Sequence, residues 1–170
     1  LDLIKSRRSI RKFKAEKPGQ ETVLRILKAG LLAPSSMNKK PVELIVVDDR
    51  ETMRRLKACK NFGTNGLDTA AFAVVVLADS ALSDVWVEDA AIAAAFMQLE
   101  AQSLGLGSVW IQLRNRQSGT GPAEDAVRKA LDIPDKYGVP AVLAFGYKDE
   151  DKPPYDETAA ELSKVHNGRY

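Results

Sequence analysis

The chain has 170 residues, 45% of them apolar and 28% charged, which suits one globular domain with a core of its own. One cysteine, Cys59, and one histidine, His166, exclude an internal disulfide, a multi-cysteine metal site and His-cluster zinc chemistry. The longest uncharged run, Ala101 to Leu113, spans 13 residues with Gln, Ser and Gly inside it, short of the roughly 20 apolar residues of a membrane span. No apolar leader follows the basic start, and a single cysteine fits the cytoplasm. The net charge of +2 is uneven. Lys5, Arg7, Arg8, Arg11, Lys12, Lys14 and Lys17 crowd the first 17 residues against Asp2 and Glu16, so the remainder is slightly acidic. Such a start points to an anionic partner, although a charge run by itself reads as a solvated arm.

In chain order, a short amphipathic start from Asp2 to Ser6 leads into the basic stretch. Apolar residues recurring at three and four predict a helix over Gln20 to Ala33, stopped by Pro34. Pro34 to Pro41 is a polar loop. Val42 to Val47 reads as a strand, Glu51 to Lys60 as a helix, and Asn61 to Asp68 as a loop. The apolar run Ala71 to Ala78 predicts a fully buried strand. A long helix follows over Asp84 to Leu104, then a strand over Gly107 to Leu113 and a glycine-bearing loop over Arg114 to Gly121. Pro122 to Leu131 suits a helix opened by proline, and Val139 to Tyr147 is the last strand. Residues 1–170 read as one domain, with 148–170 as an extended tail biased by Pro153-Pro154. The long helix is alanine-rich and apolar almost all round, which predicts a core helix with one face in a dimer.

Chemistry-bearing residues concentrate in few places. Arg7, Arg8, Ser9 and Arg11 supply guanidiniums and a hydroxyl suited to a phosphate, with Ile10 and Phe13 as anchors. Pro34, Ser35, Ser36 and Asn38 form a loop suited to a polar, heteroatom-rich ligand, or a plain turn. Gly105-Leu106-Gly107 follows a helix and enters a strand, the wrong context for a dinucleotide fingerprint; Gly105 instead caps the helix. No Ser-His-Asp set is apparent, and Cys59 reads as a buried thiol. A phosphate-bearing ligand beside so little acid–base machinery points to a cofactor that carries its own reactivity.

RRSIRKF at 7–13, APSSMNKKP at 33–41, EDAAIAAAFMQLEAQSLGLGSVWI at 88–111, LAFGYKDEDKP at 143–153 and KVHNGRY at 164–170 occur in this order. Together they resemble the nitroreductase family of FMN-dependent oxidoreductases. The resemblance implies an α+β fold, with a central mixed, mainly antiparallel sheet flanked by helices. It also implies a tail-exchanged homodimer with FMN at the interface. By position, Arg7, Arg8 and Ser9 match residues on the FMN phosphate and ribityl, and Arg11 a flavin-tuning basic residue near the pyrimidine edge. Pro34, Ser35, Ser36 and Asn38 match the loop that reaches FMN from the other subunit. Trp110, Ile111 and Gln112 are expected beside the ring through backbone groups, and Arg169 with His166 on the phosphate. Asn65 and Lys40 depart from the family pattern, where a basic residue and Gln are common. The implied activity passes hydride from NADH or NADPH through the flavin to an electron-poor acceptor, a nitroaromatic or a quinone, in ping-pong order. No catalytic side chain, metal, nucleic acid or membrane is called for. The alternatives are a flavin-binding regulatory or storage protein without turnover, and a basic-arm nucleic-acid binder; the low aromatic content of 6% speaks against the latter.

Overall fold

A computed structural model describes residues 1–170. Helices α1 (Asp2–Ser6) and α2 (Gln20–Leu31) precede strand β1 (Val42–Val47) and helix α3 (Arg50–Ala58). Strand β2 (Phe72–Asp79), helix α4 (Trp86–Ser103) and strand β3 (Leu106–Gln112) follow. A two-strand ribbon, β4 (Gln117–Ser118) with β5 (Gly121–Pro122), leads to α5 (Ala123–Ala130) and β6 (Tyr137–Tyr147).

Four strands form one sheet in the order β1-β2-β6-β3. Every ladder in it is antiparallel. The parallel component of the expected mixed sheet is a single bridge from Ser9 to Ser108 on the outer edge of β3. β2 is buried along nearly its whole length because both faces of the sheet are covered. Alternation splits it: Val75 and Leu77 face Met53, Leu56 and Val127, whereas Val74 and Val76 face Ala90, Ala94 and Met97. The result is three layers, α3 and α5 on one side of the sheet, α4 with α2 on the other.

Local signals explain most boundaries. Asp49 caps α3 by accepting the Thr52 N–H at 2.8 Å, a contact worth about 1 kcal/mol. Gly105, at φ 79°, ends the turn after α4 in the left-handed region. Pro122 sits one place earlier than expected, capping α5 rather than opening it. The tail is exposed from Pro153 onward and makes two single turns, Glu157–Ala159 and Leu162–Lys164, instead of running extended throughout. The all-round burial expected of α4 is met on its inner faces alone. Ile92 and Phe96 are 37% and 42% exposed, flanked by exposed Ala95 and half-buried Leu99.

Candidate functional site

The basic arm lies along β3 because two of its residues are core residues. Ile10 and Phe13 are 2% and 3% exposed. Each is seated on a glycine: a Cβ on Gly107 would stand 2.8 Å from Ile10 Cβ, and one on Gly146 2.9 Å from Phe13 Cβ. These two positions admit no side chain without moving the arm. Ile10 N–H donates to Ser108 O at 2.9 Å, Phe13 N–H to Thr69 Oγ1 at 3.0 Å, and Lys14 N–H to Tyr147 O at 2.9 Å. Underneath, the buried Gln98 carboxamide donates to Ser108 Oγ at 3.1 Å, and Gln102 to Ser6 Oγ at 3.1 Å.

The cations on this arm are largely unmatched. Arg7, Lys12, Lys14 and Lys17 make no ion pair, and the Arg11 side chain reaches only Ser9 O, at 3.4 Å. Arg8 is occupied by the chain's own tail: it donates to Pro153 O and lies over the Tyr155 ring, 4.3 Å from the centroid. The tail's first residues thus straddle the arm. Glu150 accepts the Arg11 backbone N–H and pairs with Lys152 at 3.3 Å, which holds its carboxyl below the usual range. Lys152 also donates to Ser9 O at 2.5 Å. The His166 and Tyr170 rings meet at a tilt, centroids 4.4 Å apart, in the exposed terminus, and neither His166 nor Arg169 bonds to the arm within one chain.

β3 is an edge strand, and its pairing sorts the three residues expected beside a ring. Leu113 N–H donates to Pro140 O of the β6 strand segment, and Ser108 O accepts from Ile10 on the other side. Backbone groups alternate between partners along an antiparallel strand. Trp110 and Gln112 therefore turn their N–H and C=O to the open edge, whereas Ile111 turns its own toward Val142 of β6. The Ile111 side chain is buried in the α3 layer, so Ile111 supports the edge instead of presenting a group there. Trp110 Nε1–H donates to Gln112 Oε1 at 2.8 Å, and Gln112 Nε2 donates to Arg114 O at 2.9 Å, which fixes both side chains.

The Pro34–Pro41 loop is strained. Met37, Asn38 and Lys40 have φ of 48°, 54° and 49°, the left-handed region that side-chain-bearing residues seldom adopt. Such strain persists where surroundings over-determine it, commonly at functional sites. Here Lys40 N–H donates to Ser35 Oγ at 2.8 Å and Ser36 N–H to Asp89 Oδ1 at 2.8 Å. Asp89 is 3% exposed and also accepts Ser83 Oγ–H at 2.8 Å. The signal for Asp89 in the sequence is a carboxylate entering an otherwise apolar helix. A cavity of about 210 Å³ lies beside this tether, lined by Pro34, Ser35, Lys40 and Ala93 among others.

One chain does not bring the loop to the arm. The loop hangs on Asp89 and the arm on Gln98 and Gln102, at opposite ends of α4, about 20 Å apart between Asp89 and Gln102 at the helical rise. The turn Asn65–Asp68, by contrast, does join the arm: a Cβ on its Gly66 would lie 2.6 Å from Val109 Cγ1 and 4.0 Å from Phe13 Cε2. Cys59 is buried as expected; its thiol donates to Arg55 O at 3.2 Å and burial pushes its pKa up.

A largely unmatched cationic arm lies beside an open strand edge with a half-buried indole, and a strained polar loop hangs at the other end of α4, on a chain of α+β fold. Residues 4–65 and 58–147 match the model of the nitroreductase family, and the chain belongs to that family. It is similar to the structure of an FMN-dependent nitroreductase from Clostridium difficile R20291, with 43% identity, a TM-score of 0.96 and 99% of each chain covered. A relative from Archaeoglobus fulgidus, which bears the provisional name NADH dehydrogenase/NAD(P)H nitroreductase, is 38% identical over 92% of this chain and 89% of its own length. The NADPH:FMN oxidoreductase of Vibrio harveyi, solved with NAD+, is 27% identical with a TM-score of 0.84, over 99% of this chain and 76% of that one.

Proposed function

We propose that the protein is an FMN-dependent NAD(P)H oxidoreductase that works as a homodimer and reduces small electron-poor acceptors such as nitroaromatics or quinones. The observation that carries this reading is the row of unmatched cations seated beside the open edge of β3 in a chain of this family. The donor set fits FMN. Arg7 and Ser9 offer N–H and O–H donors to a phosphate, with the tail-held Arg8 guanidinium adding charge beside them. Trp110 and Gln112 offer outward backbone groups to a ring edge. Arg11 is the cation nominated to favour an anionic reduced ring.

FMN held by these residues would supply the redox chemistry, accepting hydride from NADH or NADPH and reducing the acceptor in a separate half-reaction. The chain's own part is positional. The arm holds the phosphate, the β3 edge fixes the ring plane, and the polar loop closes one side. No side chain is assigned a proton-transfer role.

The geometry of α4 supports the dimer. Its exposed apolar face is centred between Ile92 and Leu99. A second copy packed antiparallel on that face brings Asp89 of one chain level with Gln102 of the other. The loop Pro34, Ser35, Ser36 and Asn38 of one copy then meets the arm of its mate. Tails exchanged over the same interface carry His166 and Arg169 toward the phosphate.

The test is the visible spectrum of purified protein, with anaerobic additions of NADH and NADPH. A yellow protein bleached by either donor and recoloured by an acceptor is expected. A colourless protein that does not take up FMN overturns the reading. Bound flavin that neither donor reduces reassigns the chain as a flavin-binding protein without turnover.

A further inference from the structure

A second group of cations lies outside the arm. The end of α3 and the connector to β2 form an open cleft of about 480 Å³, lined by Arg54, Lys57, Lys60, Phe62 and Asn65 among others. The connector and the loop after β3 are pinned together by Asn61 N–H donating to Gln117 O at 3.1 Å. Lys57 is matched by Asp68 at 2.6 Å. Arg54 and Lys60 have no carboxylate partner, and Arg116, whose guanidinium donates only to Asn115 O at 2.9 Å, adds its charge to that of Lys60. Lys60 Nζ stands 3.5 Å from the Cβ position of Gly63, folded over the connector. Burial, and then the Arg116 charge, lower the Lys60 pKa. Like charges gathered without a counter-charge are the pattern of an anion site. Phe62, 83% exposed, stands on the rim and buries nothing of the core.

The position of the cleft matters. Asn65, at the rim of the cleft, leads into Gly66, whose Cβ position lies 2.6 Å from Val109 Cγ1 of β3 and 4.0 Å from Phe13 Cε2 of the arm. The cleft therefore adjoins β3 beside the arm. A donor whose nicotinamide reaches the β3 edge has its remaining half available for this cleft.

We propose that this cleft receives the adenosine-phosphate half of the dinucleotide reductant, with Arg54 and Lys60 taking phosphate oxygens, Arg116 adding positive charge from beside the cleft, and Phe62 stacking on the adenine. The proposal rests on the oxidoreductase reading above. Three unmatched cations favour the donor with the additional 2′-phosphate, so NADPH binds more tightly than NADH.

The experiment is calorimetric titration of the purified protein, carrying whatever flavin it holds, with adenosine 2′,5′-bisphosphate, AMP and inorganic phosphate. Flavin content is read separately from absorbance. The expected order of affinity is bisphosphate, AMP, phosphate, with the first weakening steeply as salt is raised. Lys60→Ala and Arg54→Ala each weaken bisphosphate binding about tenfold, the size of one charge-assisted contact, while flavin content stays the same. Phe62→Ala narrows the gap between bisphosphate and phosphate and leaves phosphate binding alone. Absence of bisphosphate binding, or equal binding by wild type and both cation variants, overturns the proposal even in a fully yellow protein. A colourless protein that binds bisphosphate at these residues supports the cleft assignment and removes the oxidoreductase reading instead.

Discussion

Arg7 and Gly107 separate binding from folding. Arg7 has no partner within the chain, so Arg7→Ala should move stability by no more than about 0.5 kcal/mol and still lower FMN retention. Absorbance after dialysis, set beside a melting curve, checks this; equal flavin occupancy in wild type and variant counts against the phosphate role. Gly107→Ala should do the reverse first. The new Cβ meets Ile10 at 2.8 Å, and overpacking of this kind costs about 1–3 kcal/mol. A urea midpoint that does not fall would show that Ile10 is not seated as described. Asp89 is a third kind of residue. Asp89→Ala strands the buried Ser83 hydroxyl and the half-buried Ser36 N–H, a loss of about 1–3 kcal/mol for the first and less for the second, and it frees a strained loop.

Among the elements, the strands were the most legible. Val42 to Val47 is bounded in the sequence as it is in the fold, and the uninterrupted apolar run at 71–78 foretold a strand covered on both faces. The β4–β5 ribbon was not legible within Arg114 to Gly121, because two residues a side carry no period to read. Nor was the strain at Met37, Asn38 and Lys40, since it depends on a carboxylate some fifty residues away. The concentration of charge on the arm could be read from Arg7, Arg8 and Arg11, but the sorting of Trp110 and Gln112 from Ile111 needed the β3–β6 register. The arm–tail junction carries a pH prediction. Glu150 is held below the ordinary carboxylate range by the Arg11 N–H and by Lys152. Its contribution is therefore complete above the unfolded value of about 4.3 and is lost as pH falls through the lower folded value. Between about pH 5 and pH 3, wild type should lose stability more steeply than Glu150→Gln; parallel losses would remove Glu150 from the junction.

At the scale of the whole molecule, the unfinished feature is the outward face of α4. Ile92 and Phe96 leave apolar surface on the helix that otherwise anchors the core. Phe96→Glu should yield monomers by sedimentation and, in the same preparation, protein with little flavin. A monomeric variant that stays fully yellow would show that one copy makes a complete site.

The attachment of the strained loop and the cationic arm to opposite ends of one helix has a consequence for handling the protein. If each pocket is half-owned by the mate, colour becomes a gauge of association. Serial dilution below the dissociation constant should bleed pigment into the filtrate, and excess free FMN should push the subunits back together by mass action.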